Sequence, residues 1–330
     1  MNSSVLNRQL GSAGPSVSAV ALGCMGMSGM YGPSDEAESI ATIHAAIERG
    51  ITLLDTGDFY GMGHNEMLLG RALEGRRDKA LLSVKFGALR APGGAFLGID
   101  GRPVAVKNFI AYSLQRLKTD HIDIYRLSRL DPVVPIEETV GAIKQLIDAG
   151  HVRYIGLSEV GAETVRRANA IHPICDLQIE YSLVSRGMER AILPTLRELG
   201  IAVTAYGVLS RGLLSGSAPA GQGDFRKHLP RFTGDNYEKN RRLVQVLNDL
   251  AGEKGVTGTQ LAIAWVLARG KDIIPVIGAR TRAQLNESLG ALDILMTDSD
   301  MKRLEEAVEE VGVAGTRYDA SQMRMLDSER

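Results

Sequence analysis

Cysteine is nearly absent. Cys24 and Cys175 are the only two in 330 residues, too few for a disulfide framework and in keeping with a reducing, cytoplasmic setting. An excess of one charge is lacking too: 38 basic side chains face 39 acidic ones, which leaves no basic footprint for nucleic acid or an anionic membrane. No apolar run reaches the roughly 18 residues of a membrane span. Residues 1–18 lack a basic stretch followed by an apolar core, so no signal peptide is expected. No G-x-G-x-x-G and no G-x-x-x-x-G-K-[ST] occurs. The histidines (His44, His64, His121, His151, His172, His228) show neither H-x-x-x-H nor H-E-x-x-H spacing, so no metal site is expected. Gly156-Leu157-Ser158-Glu159-Val160 misses the G-x-S-x-G nucleophile turn at its last position. With 44% hydrophobic and 23% charged residues, the composition excludes a disordered or collagen-like chain.

Short apolar runs alternate with helical patterns along the whole sequence. Strands are predicted at 17–22, 52–55, 80–84, 122–125, 154–157, 177–180, 202–206 and 273–276. In the segment 36–49, Ile40, Ile43 and Ile47 share one helical face. Residues 136–149 start after Pro135 and stop before Gly150; 193–199 and 260–268 stop at Gly200 and Gly270. Eight strands with intervening helices match a closed (α/β)8 barrel, the TIM-barrel architecture. A doubly wound sheet would use fewer strands and often a glycine-rich first turn. The prediction is therefore one domain over 1–330, with extra helices and long loops at the C-terminal face. Residues 210–238, rich in Gly, Pro and Ser and carrying Arg226, Lys227, His228 and Arg231, form a long loop on that face. Residues 298–310 read as a helix, and 312–330 are poorly patterned, with 315–330 as a tail.

Active sites of such barrels lie at the C-terminal strand ends. There the sequence places Asp55-Thr56-Gly57-Asp58-Phe59-Tyr60-Gly61, then Lys85-Phe86-Gly87, then Ser128-Arg129-Leu130-Asp131-Pro132. Ser158, Glu180, Tyr181, Tyr206 and the segment Gly278-Ala279-Arg280 end the later strands. An acid, a phenol and an amine on one rim make a proton-transfer set, because a nearby ammonium favours the phenolate. Taken singly, each has a plainer account: a helix-capping Asp, an amphipathic Tyr, a solvated Lys.

From about Leu10 to Gly312 these motifs, in this order, resemble the aldo-keto reductase family. The resemblance rests on Asp55-Thr56-x-Asp58-x-Tyr60-Gly61 with Lys85-Phe86-Gly87, on Asp131-Pro132-Val133-Val134-Pro135-Ile136-Glu137-Glu138-Thr139, and on Val152-Arg153-Tyr154-Ile155-Gly156-Leu157-Ser158. Gln178-x-Glu180-Tyr181-Ser182 and Tyr206-x-x-Leu209-x-Arg211-Gly212 add to it. It implies an (α/β)8 barrel that binds NADP(H) without a Rossmann fingerprint and reduces a small carbonyl compound, as a monomer or a homo-oligomer. Tyr60 would be the general acid, with Lys85, paired to Asp55, lowering its pKa. Ser158 and Gln178 would hold the nicotinamide carboxamide and Tyr206 would stack on the ring, beside Met25 and Asp55. Gly207, Val208, Leu209, Ser210, Arg211, Gly212 and Leu214 would follow the pyrophosphate. Gly278, Ala279, Arg280 and Gln284 would sit at the 2'-phosphate, with Glu287 and Ser288 near the adenine. Arg280 favours NADP over NAD, since guanidinium suits phosphate. Tyr60, Phe86 and Ser128 would meet the substrate.

One departure stands out. The family's pattern at the end of the fourth strand is of the form H-R-x-D-P, and Ser128 replaces its histidine. A serine hydroxyl is shorter and carries no charge. Ser128 or a water it holds could do the same work more weakly. Alternatively the pocket could serve a carbon–carbon double bond or the alcohol direction, or bind cofactor for regulation, as the family's potassium-channel β subunits do. Arg126 shares the Ser128 strand face by alternation. An ion pair with a neighbouring carboxylate is its simpler account, and a contribution to the substrate the other.

Overall fold

The computed structural model describes residues 5–221 and 223–330. The chain first forms a hairpin, β1 (Asn7–Gln9) and β2 (Ser16–Ser18), then β3 (Ala21–Gly23), β4 (Leu53–Gly57) and β5 (Leu81–Phe86). A second hairpin, β6 (Ala88–Arg90) and β7 (Phe96–Ile99), precedes β8 (Ile122–Leu127), β9 (Val152–Ser158), β10 (Ile174–Glu180), β11 (Ala202–Tyr206) and β12 (Ile273–Gly278). Both hairpins are antiparallel, whereas the other eight strands pair in parallel and close in the order β10-β11-β12-β3-β4-β5-β8-β9. This is the (α/β)8 barrel expected from the strand count.

Helices α1 (Glu36–Glu48), α2 (His64–Ala72), α3 (Pro103–Leu117), α4 (Ile136–Asp148), α5 (Ala162–Ile171) and α6 (Ile192–Leu199) alternate with the strands. They are followed by α7 (Gly234–Glu253), α8 (Gly258–Ala268), α9 (Arg282–Leu289), α10 (Asp298–Val311) and α11 (Ala320–Met323). Punctuation is local: Asp35 caps α1 by accepting from the Glu38 amide, and Thr257 with Gln260 forms a capping box on α8. No helix among the described residues is long and apolar enough to cross a membrane.

Strands covered on both faces read as continuous buried runs, and β4, β8 and β10 are buried at every position. Alternation then decides which side chains enter the lumen. The lumen here holds a polar layer. Arg126 donates from Nη1 to Asp176 Oδ2 at 2.8 Å and to Thr204 Oγ1 at 3.2 Å, and from Nη2 to Ser83 Oγ at 3.1 Å. Arg126 is wholly buried, so the ion-pair account holds and contact with a substrate does not. The guanidinium presses on β9 where a Cβ at Gly156 would stand 2.6 Å from Asp176 Oδ1 and 2.9 Å from Arg126 Cζ, so that position needs glycine.

Three sequence expectations change. The first strand, expected at 17–22, is cut in two, because Ser18 Oγ turns back to donate to the Val20 carbonyl. The long loop ends at 233 with α7, and within it Arg226 is buried and clamped by Asp224. The segment 315–330 is no tail: Arg317 and Tyr318 reach the barrel mouth and Asp327 accepts from the Gly161 amide at 2.8 Å.

Candidate active site

The mouth of the barrel opens into a cleft of about 690 Å³, within the range of cofactor and ligand sites. Asp55, Tyr60, Lys85, Ser128, Ser158, Gln178 and Tyr206 all line it, each from the C-terminal end of its strand or the loop just beyond. Lys85 Nζ donates to Asp55 Oδ1 and, at 2.9 Å, to Gln178 Oε1. Asp55 Oδ2 accepts from Ser83 Oγ at 2.8 Å and from Gln178 Nε2 at 2.7 Å. Ser83 in turn accepts from Arg126, so the lumen layer supports the Asp55–Lys85 pair from below. Lys85 Nζ stands 5.2 Å from the centroid of the Tyr60 ring.

Burial, reinforced by Asp55, pushes the Tyr60 phenol well above its ordinary pKa. The net direction is upward, because burial outweighs the nearby ammonium, which is paired with Asp55. Tyr60 is protonated at neutral pH, the state a proton donor needs. Gln178 spends both amide atoms on the Asp55–Lys85 pair, keeping one N–H in reserve. Ser128 Oγ and Ser158 Oγ are buried and have no partner among the described residues, so each can serve a bound molecule. Tyr206 is fixed by donating to Glu159 Oε1 at 2.7 Å.

The other half of the cleft is formed by Met25, Gly207, Val208, Leu209, Arg211, Gly212, Gly278, Ala279, Arg280, Gln284, Glu287 and Ser288, residues that the family resemblance assigns to a cofactor arm. Arg280 Nη1 donates to the Tyr31 and Pro33 carbonyls at 3.1 and 3.3 Å, leaving its other N–H groups uncommitted. Orphan hydroxyls at one end and an unpaired guanidinium at the other fit an extended dinucleotide. Three expected contacts fall elsewhere. Phe86 follows Lys85 on β5, so alternation turns it out of the lumen to stack on Tyr125 at 4.2 Å. Ser210 Oγ accepts from Arg231 at 2.9 Å, away from the cleft, and Leu214 packs into the main core.

Sequence reasoning also missed part of the wall. Glu159 carries two bonds from Arg317, at 2.8 and 2.7 Å, and two more from Tyr206 and Ser328. Burial alone would raise Glu159, but Arg317 and Arg129 pull it down to about 2. Tyr318 sits beside it, 3.2 Å from the Tyr206 hydroxyl and 3.1 Å from Arg129 Nη2, with the Arg211 guanidinium 4.3 Å from its ring centroid. Nothing in the weakly patterned segment 312–330 signals this role.

A sequence model of the aldo/keto reductase family matches residues 19–309. A probable aldo-keto reductase 1 from Glycine max is 41% identical over 315 residues, covering 94% of this chain and 91% of that protein. Among solved structures, the glycerol dehydrogenase AKR11B4 from Gluconobacter oxydans superposes with a TM-score of 0.83 at 28% identity, covering 92% of this chain and 95% of that one. The aldo-keto reductase AKR11C1 from Bacillus halodurans gives 0.77 at 28% identity over 92% and 96%. With a family match over almost the whole barrel and the rim chemistry in place, this chain belongs to the aldo/keto reductase family, oxidoreductases that work with a nicotinamide cofactor.

Proposed function

We propose that the protein reduces an aldehyde or ketone to an alcohol with NADPH, using Tyr60 as general acid. The observation that carries this reading is the buried Asp55–Lys85–Gln178 cluster beneath a protonated Tyr60 in the cleft. The bound cofactor supplies the hydride. Tyr60 donates its hydroxyl proton to the carbonyl oxygen, and Lys85 limits the cost of the phenolate left behind. Asp55 keeps that ammonium charged and in place. Ser158 and the spare N–H of Gln178 hold the carboxamide, Tyr206 packs on the ring, and Ser128 offers its hydroxyl to the substrate oxygen. Arg280 would take the 2'-phosphate, which favours NADP over NAD. The same groups run the alcohol direction in reverse, and the likeness to a glycerol dehydrogenase supports testing both. Two buried, unpaired cysteines support a reducing, cytoplasmic setting.

The test is NADPH oxidation against aromatic aldehydes, aliphatic ketones, a dicarbonyl, pyridoxal, a keto sugar and an enone. Turnover of a carbonyl compound is expected. Tyr60→Phe should reduce kcat by about 10²–10⁴, the usual worth of a general acid, with NADPH affinity nearly intact by fluorescence titration. Undiminished turnover in that variant would remove Tyr60 from the mechanism.

A further inference from the structure

The cleft's cations divide into those already matched by carboxylates and those left over. Lys85 is matched by Asp55, Arg211 by Glu180, and Arg226 by Asp224. Arg280 lies on the cofactor arm. Two remain at the catalytic end, Arg129 and Arg90, and neither forms an ion pair with a carboxylate among the described residues.

Arg129 follows Ser128 directly and makes two hydrogen bonds, Nη1 to the Ser128 carbonyl at 2.6 Å and Nη2 to the Tyr318 hydroxyl at 3.1 Å. A guanidinium has five N–H groups, so three are uncommitted. The carboxylates nearby are already taken. Glu159 is filled by Arg317, Tyr206, Ser328 and the Glu180 amide, and Glu180 by Arg211, Arg231 and Ser185. Around Tyr318, the four arginines 129, 211, 231 and 317 therefore face three carboxylates, Glu159, Glu180 and Glu329. The surplus cation is Arg129. Arg90 lies over the Phe59 ring at 5.7 Å, and Phe59 packs edge-on against Tyr60 with ring centroids 4.8 Å apart.

Glu159 and Tyr318 hold the Arg129 charge from a distance, but no carboxylate among the described residues accepts a bond from it, so its three remaining N–H groups are left for a molecule in the cleft that it lines. A neutral aldehyde would leave those donors to water, whereas an anionic oxyacid group on the substrate would accept from them in charge-assisted bonds. We propose that Arg129, supported by Tyr318 and by the field of Arg90, is a specificity subsite for an anionic oxyacid group, so that the substrate is a carbonyl compound carrying a carboxylate or phosphate. This rests on the reductase reading above and names its substrate class.

The test compares matched probes in steady-state NADPH oxidation: 4-formylbenzoate against its neutral isostere 4-formylbenzamide, and glyceraldehyde 3-phosphate against glyceraldehyde. The unmodified enzyme should favour the charged member of at least one pair by about 10- to 100-fold in kcat/KM, the span of one charge-assisted hydrogen bond. A preference in the first pair identifies a carboxylate subsite, in the second a phosphate subsite. In Arg129→Met that ratio should fall towards 1, while Arg129→Lys should keep part of it. Because the readout is a ratio within one variant, general damage to the enzyme does not imitate the result. Equal use of both members in both pairs, or a preference that survives in Arg129→Met, overturns the subsite and leaves the reductase standing. No turnover of any probe, charged or neutral, overturns the reductase reading and the subsite with it.

Discussion

Ser128 carries a hydroxyl where the family resemblance leads one to expect an imidazole, and its oxygen is buried without a partner. The next residue, Arg129, forms no ion pair with a carboxylate among the described residues, so this corner sets an unpartnered hydroxyl beside a guanidinium with N–H groups to spare. Residue-level legibility was uneven in a physically simple way. Asp55, Tyr60 and Lys85 stand out because their order on successive strand ends resembles the family's signature, whereas each alone has a plainer account. The partners of Gln178 are not, since both of its amide atoms are claimed by a cluster formed from three strands. Phe86 misleads for the opposite reason: its neighbour Lys85 faces the cleft, so the same strand must turn Phe86 away. On the cofactor arm, Arg280→Ala should weaken NADPH by about 10- to 100-fold and NADH far less, as expected for loss of charge-assisted contacts to one phosphate. Fluorescence titration with both cofactors checks this, and equal weakening would remove Arg280 from 2'-phosphate recognition.

Elements with strong apolar runs were legible. The eight barrel strands lie where the runs are, with ends displaced by a few residues. The hairpin β6–β7 was not, because Phe96 and Leu97 are exposed and follow no burial period. The segment 312–330 is held by polar bonds to distant residues, and such bonds leave no periodicity in a sequence. Its anchor gives a pH prediction. Glu159 drops from an ordinary 4.5 to about 2 in the folded chain, so its contribution is complete above the ordinary value and is lost as pH falls from 4.5 through 2. Hydrogen exchange should therefore show residues 314–329 losing protection over that interval. Glu159→Gln should leave the segment weakly protected at pH 7 and flatten the dependence. A variant as well protected as the parent would show that the Arg317–Glu159 contact does not anchor it.

For the molecule as a whole, the barrel lumen is the unusual feature, since small barrels commonly fill it with branched apolar side chains. Here Arg126 and Asp176, both fully buried, lie directly beneath the Asp55–Lys85 pair. Removing either partner leaves an uncompensated buried charge, so Arg126→Met or Asp176→Leu should each cost about 3–5 kcal/mol. The double variant should lose much less than the sum of the two, because the orphan charge is gone. Denaturant unfolding of the three variants measures the coupling, and strictly additive losses would contradict it. Barrel closure was legible from strand count, whereas this polar lumen depends on which residues of β5, β8, β10 and β11 share a level. The Glu159–Arg317 contact spans 158 residues. On a ribosome adding roughly 5–20 residues per second, Glu159 would wait about 8–30 s for its partner to be made. Until then Glu159 lacks its Arg317 partner, and because β12, the last barrel strand, ends at Gly278, only 39 residues before Arg317, the barrel closes and its binding face is completed within about 2–8 s of each other.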